Sequence, residues 1–214
     1  MIVTPQPHIQ KYDAFILSLT WTDGFCKTNA CPSAVGRGEF KIHGLWPTFR
    51  AGGDVRECNP SIGFPSKIDD WPKLTTSQLA EHWPSLSTTS NIAFWGDEWR
   101  KHGTCMDTKN GPNSKVQNPE YYCSATLNMF FRYTGHKLAN LMGQKKVTPG
   151  KTYQANLLFS ALVSITGSKH IELQCSEKNN IHYLTEVRIY VDENGKPISK
   201  SVRLNKCKSP LIFF

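Results

Sequence analysis

The segment FKIHGLWP, residues 40–47, decides the fold of this chain together with a second segment, FWGDEWRKHGTC, residues 94–105. Each segment places a histidine, His43 or His102, beside aromatic side chains, and the second adds two carboxylates and a lysine. The first segment has the aromatic and β-branched composition of a strand that ends at His43 and the glycine after it. Residues 97–102 contain strong helix formers and no breaker, which predicts a helix that stops at the next glycine.

Outside these segments, the spacing of apolar residues is that of strands in some stretches and that of helices in others. We expect strands over residues 12–20, 40–45, 171–173, 182–191 and 199–204. We expect helices over residues 76–86, 97–102, 119–133 and 154–165. The run Glu193-Asn194-Gly195 predicts a hairpin turn between the last two strands. This order of strand, helices and strands predicts one α+β domain over residues 1–214.

The composition bounds the class of protein without naming a function. The 214 residues are 39% hydrophobic and 20% charged, which suits one domain with a sizeable core. The net charge of +8 is spread along the chain, so it indicates only a weak preference for polyanions such as RNA. No segment has the length and apolarity of a membrane span, and we expect a monomer without a membrane partner.

The cysteines indicate an oxidising compartment. Seven of them are spread along the chain, which favours disulfides with one thiol left over. No group of cysteines and histidines has the spacing of zinc ligands, so we expect no metal and no other cofactor. Residues 1–7 lack the apolar run of a signal peptide, and we interpret the chain as a mature secretory-pathway protein, extracellular or vacuolar.

The predicted helix over residues 97–102 brings several chemical groups together. Glu98 and His102 lie one turn apart on one face, and Asp97 and Lys101 form a second such pair. The simpler interpretation of the first pair is an ordinary surface contact worth a few tenths of a kcal/mol. The functional interpretation is a cluster of an imidazole, two carboxylates and an ammonium group.

Two histidines that face one phosphodiester can act as base and acid in an attack by the ribose 2′-hydroxyl on phosphorus. His43 and His102 are the candidates, and Lys101 would stabilise the charge that builds on phosphorus. A histidine beside tryptophans is otherwise a partly buried packing residue. Three neighbouring aromatic side chains could stack on the bases of single-stranded RNA: Trp46, Phe94 and Trp95.

The two segments resemble the two signature segments of the ribonuclease T2 family, above all its plant S-like members and their self-incompatibility homologues. The resemblance extends to the first strand, over residues 15–21, and to the tail, over residues 207–214. It implies a central antiparallel sheet flanked by helices and a reaction that needs no metal.

The resemblance also implies roles for individual residues. His102 matches the family's general base and His43 its general acid, while Glu98 and Lys101 match the pair that stabilises the transition state. Trp46 matches an aromatic residue of a base site. The implied disulfides are Cys26–Cys31, Cys58–Cys105 and Cys175–Cys207, which leaves Cys123 as a buried free thiol.

Asp97 departs from the family pattern, because S-like enzymes usually have histidine there. We expect the carboxylate to repel the scissile phosphate and to pair with Lys101. It would also raise the pKa of His102 and so keep the base protonated.

The family that the chain resembles also contains plant storage proteins with a degraded active site. The resemblance and this departure together favour a plant vegetative storage protein with little or no ribonuclease activity. The first alternative is an active, metal-independent endoribonuclease that cleaves single-stranded RNA through 2′,3′-cyclic phosphates. The second alternative is a protein that binds RNA without cleaving it.

Overall fold

The computed structural model describes residues 12–32, 36–53, 55–59, 61–106 and 118–214. Within these ranges the strands are β1 (Ala14–Trp21), β2 (Phe40–Thr48), β3 (Thr152–Gln154), β4 (His170–Lys178), β5 (Ile181–Asp192), β6 (Val202–Asn205) and β7 (Leu211–Phe213). The α-helices are α1 (Thr22–Thr28), α2 (Lys73–His82), α3 (Asn91–Lys101), α4 (Pro119–Arg132), α5 (Leu138–Gln144) and α6 (Ala155–Thr166). None of these helices has the length and apolarity needed to cross a membrane.

The main sheet has the strand order β2-β1-β5-β4-β6. The pairs β1–β2, β1–β5 and β4–β5 are antiparallel, which confirms the expected α+β fold with a central antiparallel sheet. The predicted hairpin between the last two long strands is wrong. The chain does turn at Asp192–Lys196, but β6 then passes β5 and pairs in parallel with β4.

One face of the sheet packs on the main core and the other on a small second cluster, as the side chains of β1 show. Its side chains alternate between faces, as in any strand. Leu17 and Leu19 belong to the main core, whereas Ile16 joins a small second cluster with Tyr190 and Trp46 on the other face. The candidate site lies on this second face.

Helices α1 and α3 both depart from the sequence pattern, because α1 was not predicted and α3 starts earlier than predicted. α1 occupies a region expected to be a loop, and its Gly24 packs directly on β5. A Cβ at Gly24 would lie 1.7 Å from the carbonyl oxygen of Leu184, so only glycine permits this approach. α3 begins six residues before the predicted helix because the Ser90 side chain accepts a hydrogen bond from the Ala93 amide and caps it.

Three disulfides occur at the pairs that the resemblance implies. Cys26 bonds Cys31 near α1, Cys58 bonds Cys105 beside the end of α3, and Cys175 bonds Cys207. Cys123 is a buried free thiol in α4, and burial raises its pKa.

Candidate functional site

His43 owes its position to an irregularity in β2. Ser18 of β1 pairs with Gly44 and Leu19 pairs with Ile42, so His43 is an extra residue in the ladder. Such a bulge re-aims one side chain without ending the strand. The main core therefore keeps both Ile42 and Leu45, while the His43 side chain remains about one-third exposed.

The His43 ring is held between two carboxylates. Its Nδ1 lies 2.5 Å from Glu186 Oε2, and its Nε2 lies 3.8 Å from Glu98 Oε1. Burial lowers the pKa of His43, but the hydrogen bond and charge of Glu186, together with Glu98, raise it above 6.5 overall. The main chain is fixed as well, because the Trp83 indole donates to the His43 carbonyl over 2.8 Å. His43 is therefore placed and biased toward its protonated form.

Glu98 is buried at the inner end of the site. Its Oε2 accepts a hydrogen bond of 2.8 Å from the Trp46 indole N–H instead of pairing with the His102 ring as the helical spacing predicted. A Cβ at Gly44 would lie 2.2 Å from this oxygen and 2.3 Å from the indole nitrogen. Gly44 is thus required for Glu98 and Trp46 to meet. Burial raises the pKa of Glu98, although His43 and Trp46 oppose the shift.

His102 is the residue that follows α3, and its ring stacks on Trp46 with centroids 5.1 Å apart. It is 7% exposed, and its buried Nδ1 has no hydrogen-bond partner among the residues that the structure describes. Burial, reinforced by the charges of Arg56, His43 and Lys101, lowers its pKa to about 3. The expectation that Asp97 keeps this histidine protonated is therefore wrong, because desolvation outweighs the single carboxylate.

Asp97 binds Lys101, the cation that was expected to stabilise the charge on phosphorus. Its Oδ2 accepts a hydrogen bond from Lys101, and its Oδ1 accepts one of 2.9 Å from Arg100. Partial burial raises the pKa of Asp97, but these two bonds lower it overall, so the carboxylate is charged. The predicted pair of Asp97 and Lys101 is present, and it partly neutralises Lys101.

The strand side of the site contains a charged network that the sequence analysis missed. Glu186 accepts hydrogen bonds from His43 at one oxygen and from Arg188 Nε at the other, the latter over 2.5 Å. Burial raises the pKa of Glu186, but the two partners lower it to about 2. Arg188 Nη1 donates to Glu172 over 2.9 Å. The signal was a glutamate and an arginine two residues apart in an otherwise apolar strand, which puts both on one face.

The aromatic residues separate into two groups. Trp46 is half-buried in the site, and Phe94 is half-buried with its ring centroid 6.1 Å from that of His43. Trp95 is 3% exposed and donates its indole N–H to the Trp83 carbonyl over 2.7 Å. The prediction that Trp95 stacks on a base is therefore wrong, because its ring is part of the core.

These residues surround a cavity of about 290 Å³ that is open to solvent. We call His43, Glu186 and Arg188 the strand wall, and Asp97, Glu98, Lys101 and His102 the helix wall. Apart from Asp97, the residues of the helix wall line the cavity together with His43, Trp46, Arg56 and Arg188. A second cavity of about 140 Å³ adjoins it at His43 and includes Phe94.

Comparison with known proteins gives consistent matches along the chain. The model of the ribonuclease T2 family matches residues 12–207. Ribonuclease S-2 of Antirrhinum hispanicum is 31% identical over 211 residues, which cover 95% of this chain and 82% of that protein. A ribonuclease-like storage protein of Panax ginseng is 28% identical over 189 residues, which cover 85% of this chain and 71% of that protein.

Solved structures agree in fold. Ribonuclease MC1 from bitter gourd seeds is 25% identical, with a TM-score of 0.75, and the match covers 95% of this chain and 100% of that one. A variant of ribonuclease MC1 solved in complex with 5′-UMP is also 25% identical, with a TM-score of 0.76 over 96% of this chain and 100% of that one. The family match and the 31% identical relative together lead to one conclusion: the chain belongs to the ribonuclease T2 family.

Proposed function

We propose that the protein is an endoribonuclease that cleaves single-stranded RNA through 2′,3′-cyclic phosphates and needs no metal ion. The observation that carries the proposal is the contrast between the two histidines on one cavity. His43 sits against a carboxylate that favours its protonated form, whereas His102 is buried where its neutral form is stable. An acid and a base that differ in this way are what the reaction requires.

His102 acts as the base in this proposal. Its Nδ1 is buried, which leaves Nε2 as the nitrogen that takes the proton from the ribose 2′-hydroxyl. The 2′-oxygen then attacks phosphorus, and the bond from phosphorus to the 5′-oxygen breaks. Stacking on Trp46 fixes the plane of the ring during this transfer.

His43 acts as the acid. Glu186 occupies Nδ1, so Nε2 donates the proton to the departing 5′-oxygen. Glu98 lies 3.8 Å from that nitrogen and is held by Trp46, which keeps the donor aimed at the cavity. The products are a 2′,3′-cyclic phosphate and a free 5′-hydroxyl, so protons and bonds balance.

Lys101 remains a candidate to stabilise the charge on phosphorus, although Asp97 limits it. This ion pair is also the observation that favours the second candidate function, a storage protein with little or no activity. The 28% identical relative from Panax ginseng is named a ribonuclease-like storage protein. The three disulfides support a secretory-pathway location for either function.

The decisive experiment is an RNA cleavage assay on the purified protein at acidic and neutral pH, with a chelator present. Products are analysed for 2′,3′-cyclic phosphate ends, and His43→Ala is the matched control for contaminating nuclease. The proposal predicts cyclic ends from the wild type and none from His43→Ala.

Two other outcomes would overturn the proposal. A folded wild type that neither cleaves nor binds RNA would leave storage as the function. RNA affinity that falls with salt, without any product, would indicate a binding protein.

A further inference from the structure

We propose that Arg188 binds the scissile phosphate and supplies the positive charge that Asp97 withholds by pairing with Lys101. The inference rests on the proposed function only in placing a phosphate in the cavity. It concerns a strand residue that lies 87 positions after Lys101 and outside both signature segments.

The first support is the way in which Arg188 is anchored. Its Nε bonds Glu186, its Nη1 bonds Glu172, and its Cζ lies 4.9 Å from the centroid of the Trp46 ring. The Glu186 carboxylate holds His43 through its other oxygen. One carboxylate therefore sets the position of the acid and of the guanidinium group together.

The second support is the donor capacity that remains. Guanidinium carries five N–H donors in a planar fork, and the anchoring uses Nε and Nη1. Within the part of the chain that the structure describes, no protein acceptor bonds Nη2. Arg188 is about one-quarter exposed and lines the same cavity as both histidines. A phosphate oxygen is the acceptor that this geometry suits.

The third support comes from the helix wall. Lys101 donates to Asp97, and the same carboxylate also binds Arg100. Arg188 is compensated by carboxylates too, but these bind its Nε and Nη1 and leave Nη2 for the substrate. The two cations thus differ in the group that is left over: the single ammonium group of Lys101 is already bound by Asp97, whereas Arg188 keeps the whole Nη2 group for an acceptor.

The test measures phosphate binding separately from turnover. The probe is uridine 3′-monophosphate, with inorganic phosphate as the simpler anion, and affinity is measured by titration calorimetry. We expect Arg188→Gln to weaken affinity for the nucleotide by about tenfold or more, as expected for a lost charge-assisted hydrogen bond. Arg50→Gln is the matched control, because Arg50 is also ion-paired with a glutamate but lies outside the cavity.

Two further variants separate contact with the phosphate from indirect effects. Arg188→Gln removes one of the two partners of Glu186, so Glu186→Gln is combined with it, while Glu172 keeps donors from Gln174 and Tyr190. We expect the double variant to bind as weakly as Arg188→Gln. In an Asp97→Asn background, where Lys101 is released, we expect the loss caused by Arg188→Gln to be smaller.

Unchanged affinity in Arg188→Gln would overturn the inference, and so would recovery of affinity in the double variant. If Arg188→Gln does not fold, Arg188→Met replaces it, because it removes the charge and keeps an unbranched side chain, and affinity equal to that of the wild type would then overturn the inference. A wild type that binds the nucleotide through Arg188 but does not cleave RNA would disprove the proposed function alone.

Discussion

The strand wall and the helix wall of the cavity both contain a histidine, a carboxylate and a cation, but they use them differently. On the strand wall, Glu186 bridges His43 and Arg188, so the negative charge organises two groups that face the cavity. On the helix wall, Asp97 binds Lys101 with one oxygen and the exposed Arg100 with the other. In the role proposed for Arg188, an ion pair with a carboxylate therefore positions its guanidinium group for a phosphate on the strand wall, whereas on the helix wall such a pair partly neutralises Lys101.

The two histidines differ in the same way. His43 has a carboxylate at hydrogen-bond distance, whereas the buried Nδ1 of His102 has no hydrogen-bond partner in the described part of the chain. Charge pairing raises the pKa of His43 and desolvation lowers that of His102, and the charge of His43 adds to the second shift. The surroundings of each ring, a nearby carboxylate for His43 and burial for His102, therefore favour opposite protonation states in the two histidines.

The largest effect is expected from removing the imidazole ring of either histidine in the cavity. We expect His43→Ala and His102→Ala each to reduce kcat for RNA cleavage by about 10²- to 10⁴-fold, because each deletes one proton transfer. The measurement is steady-state cleavage of a dinucleotide, with thermal unfolding as the check on the fold. His136→Ala, at a histidine outside the cavity, is the matched control. Equal activity in all three variants would disprove the assignment of both walls.

The next largest effect is expected from Gly44→Ala, which disturbs the junction between the walls. The added Cβ would clash with Glu98 Oε2 and with the Trp46 indole nitrogen. A displacement of about 1 Å at an active site costs about 10²-fold in rate, so we expect a loss of that order. Gly63→Ala is the control, since a Cβ there meets nothing within 4 Å. Full activity in Gly44→Ala would show that the contact of Glu98 with Trp46 is dispensable.

Much of this site is predictable from the sequence because its parts are local. The helical spacing of Asp97 and Lys101 predicts their contact, and the order of elements predicts the α+β fold. Two features depend on tertiary structure instead. Glu98 pairs with Trp46 of a distant strand, and the burial that lowers the pKa of His102 has no local signature.

The strand wall is the part that local patterns could not supply. Its residues come from β2 and β5, which pair on either side of β1, and they are joined by Glu172 of β4, the neighbour of β5. Glu172 pairs with Arg188 across β4 and β5, and Ser18 of β1 lies on the opposite side of Arg188. A charged residue in an apolar strand indicates a special position, but only the register identifies its partners.

Asp97→His removes the carboxylate that binds Lys101 on the helix wall, so it tests how far this ion pair limits activity. Charges about 4 Å apart interact by about 4 kcal/mol at an effective dielectric constant of 20. Asp97 is 43% exposed, so solvent screening leaves about a quarter of this energy. We therefore expect kcat/KM to rise by about five- to tenfold.

Glu57→Gln is the matched control for this gain. It removes the other carboxylate that binds Arg100 but leaves the contact between Asp97 and Lys101 intact. An equal gain in both variants would indicate a general effect of surface charge. A loss of activity in Asp97→His would show that the aspartate supports the site.

The smallest expected effect is a shift in pH dependence caused by Glu186→Gln. His43 must be protonated to act as the acid, so activity is lost as pH rises through its pKa, which Glu186 helps to hold above 6.5. Removing the carboxylate lowers that pKa, and the basic limb of kcat against pH moves to lower pH. The acidic limb belongs to His102, whose pKa of about 3 has other causes, and it stays in place. If the acidic limb moved instead, the two histidines would have exchanged roles, and the strand wall would hold the base.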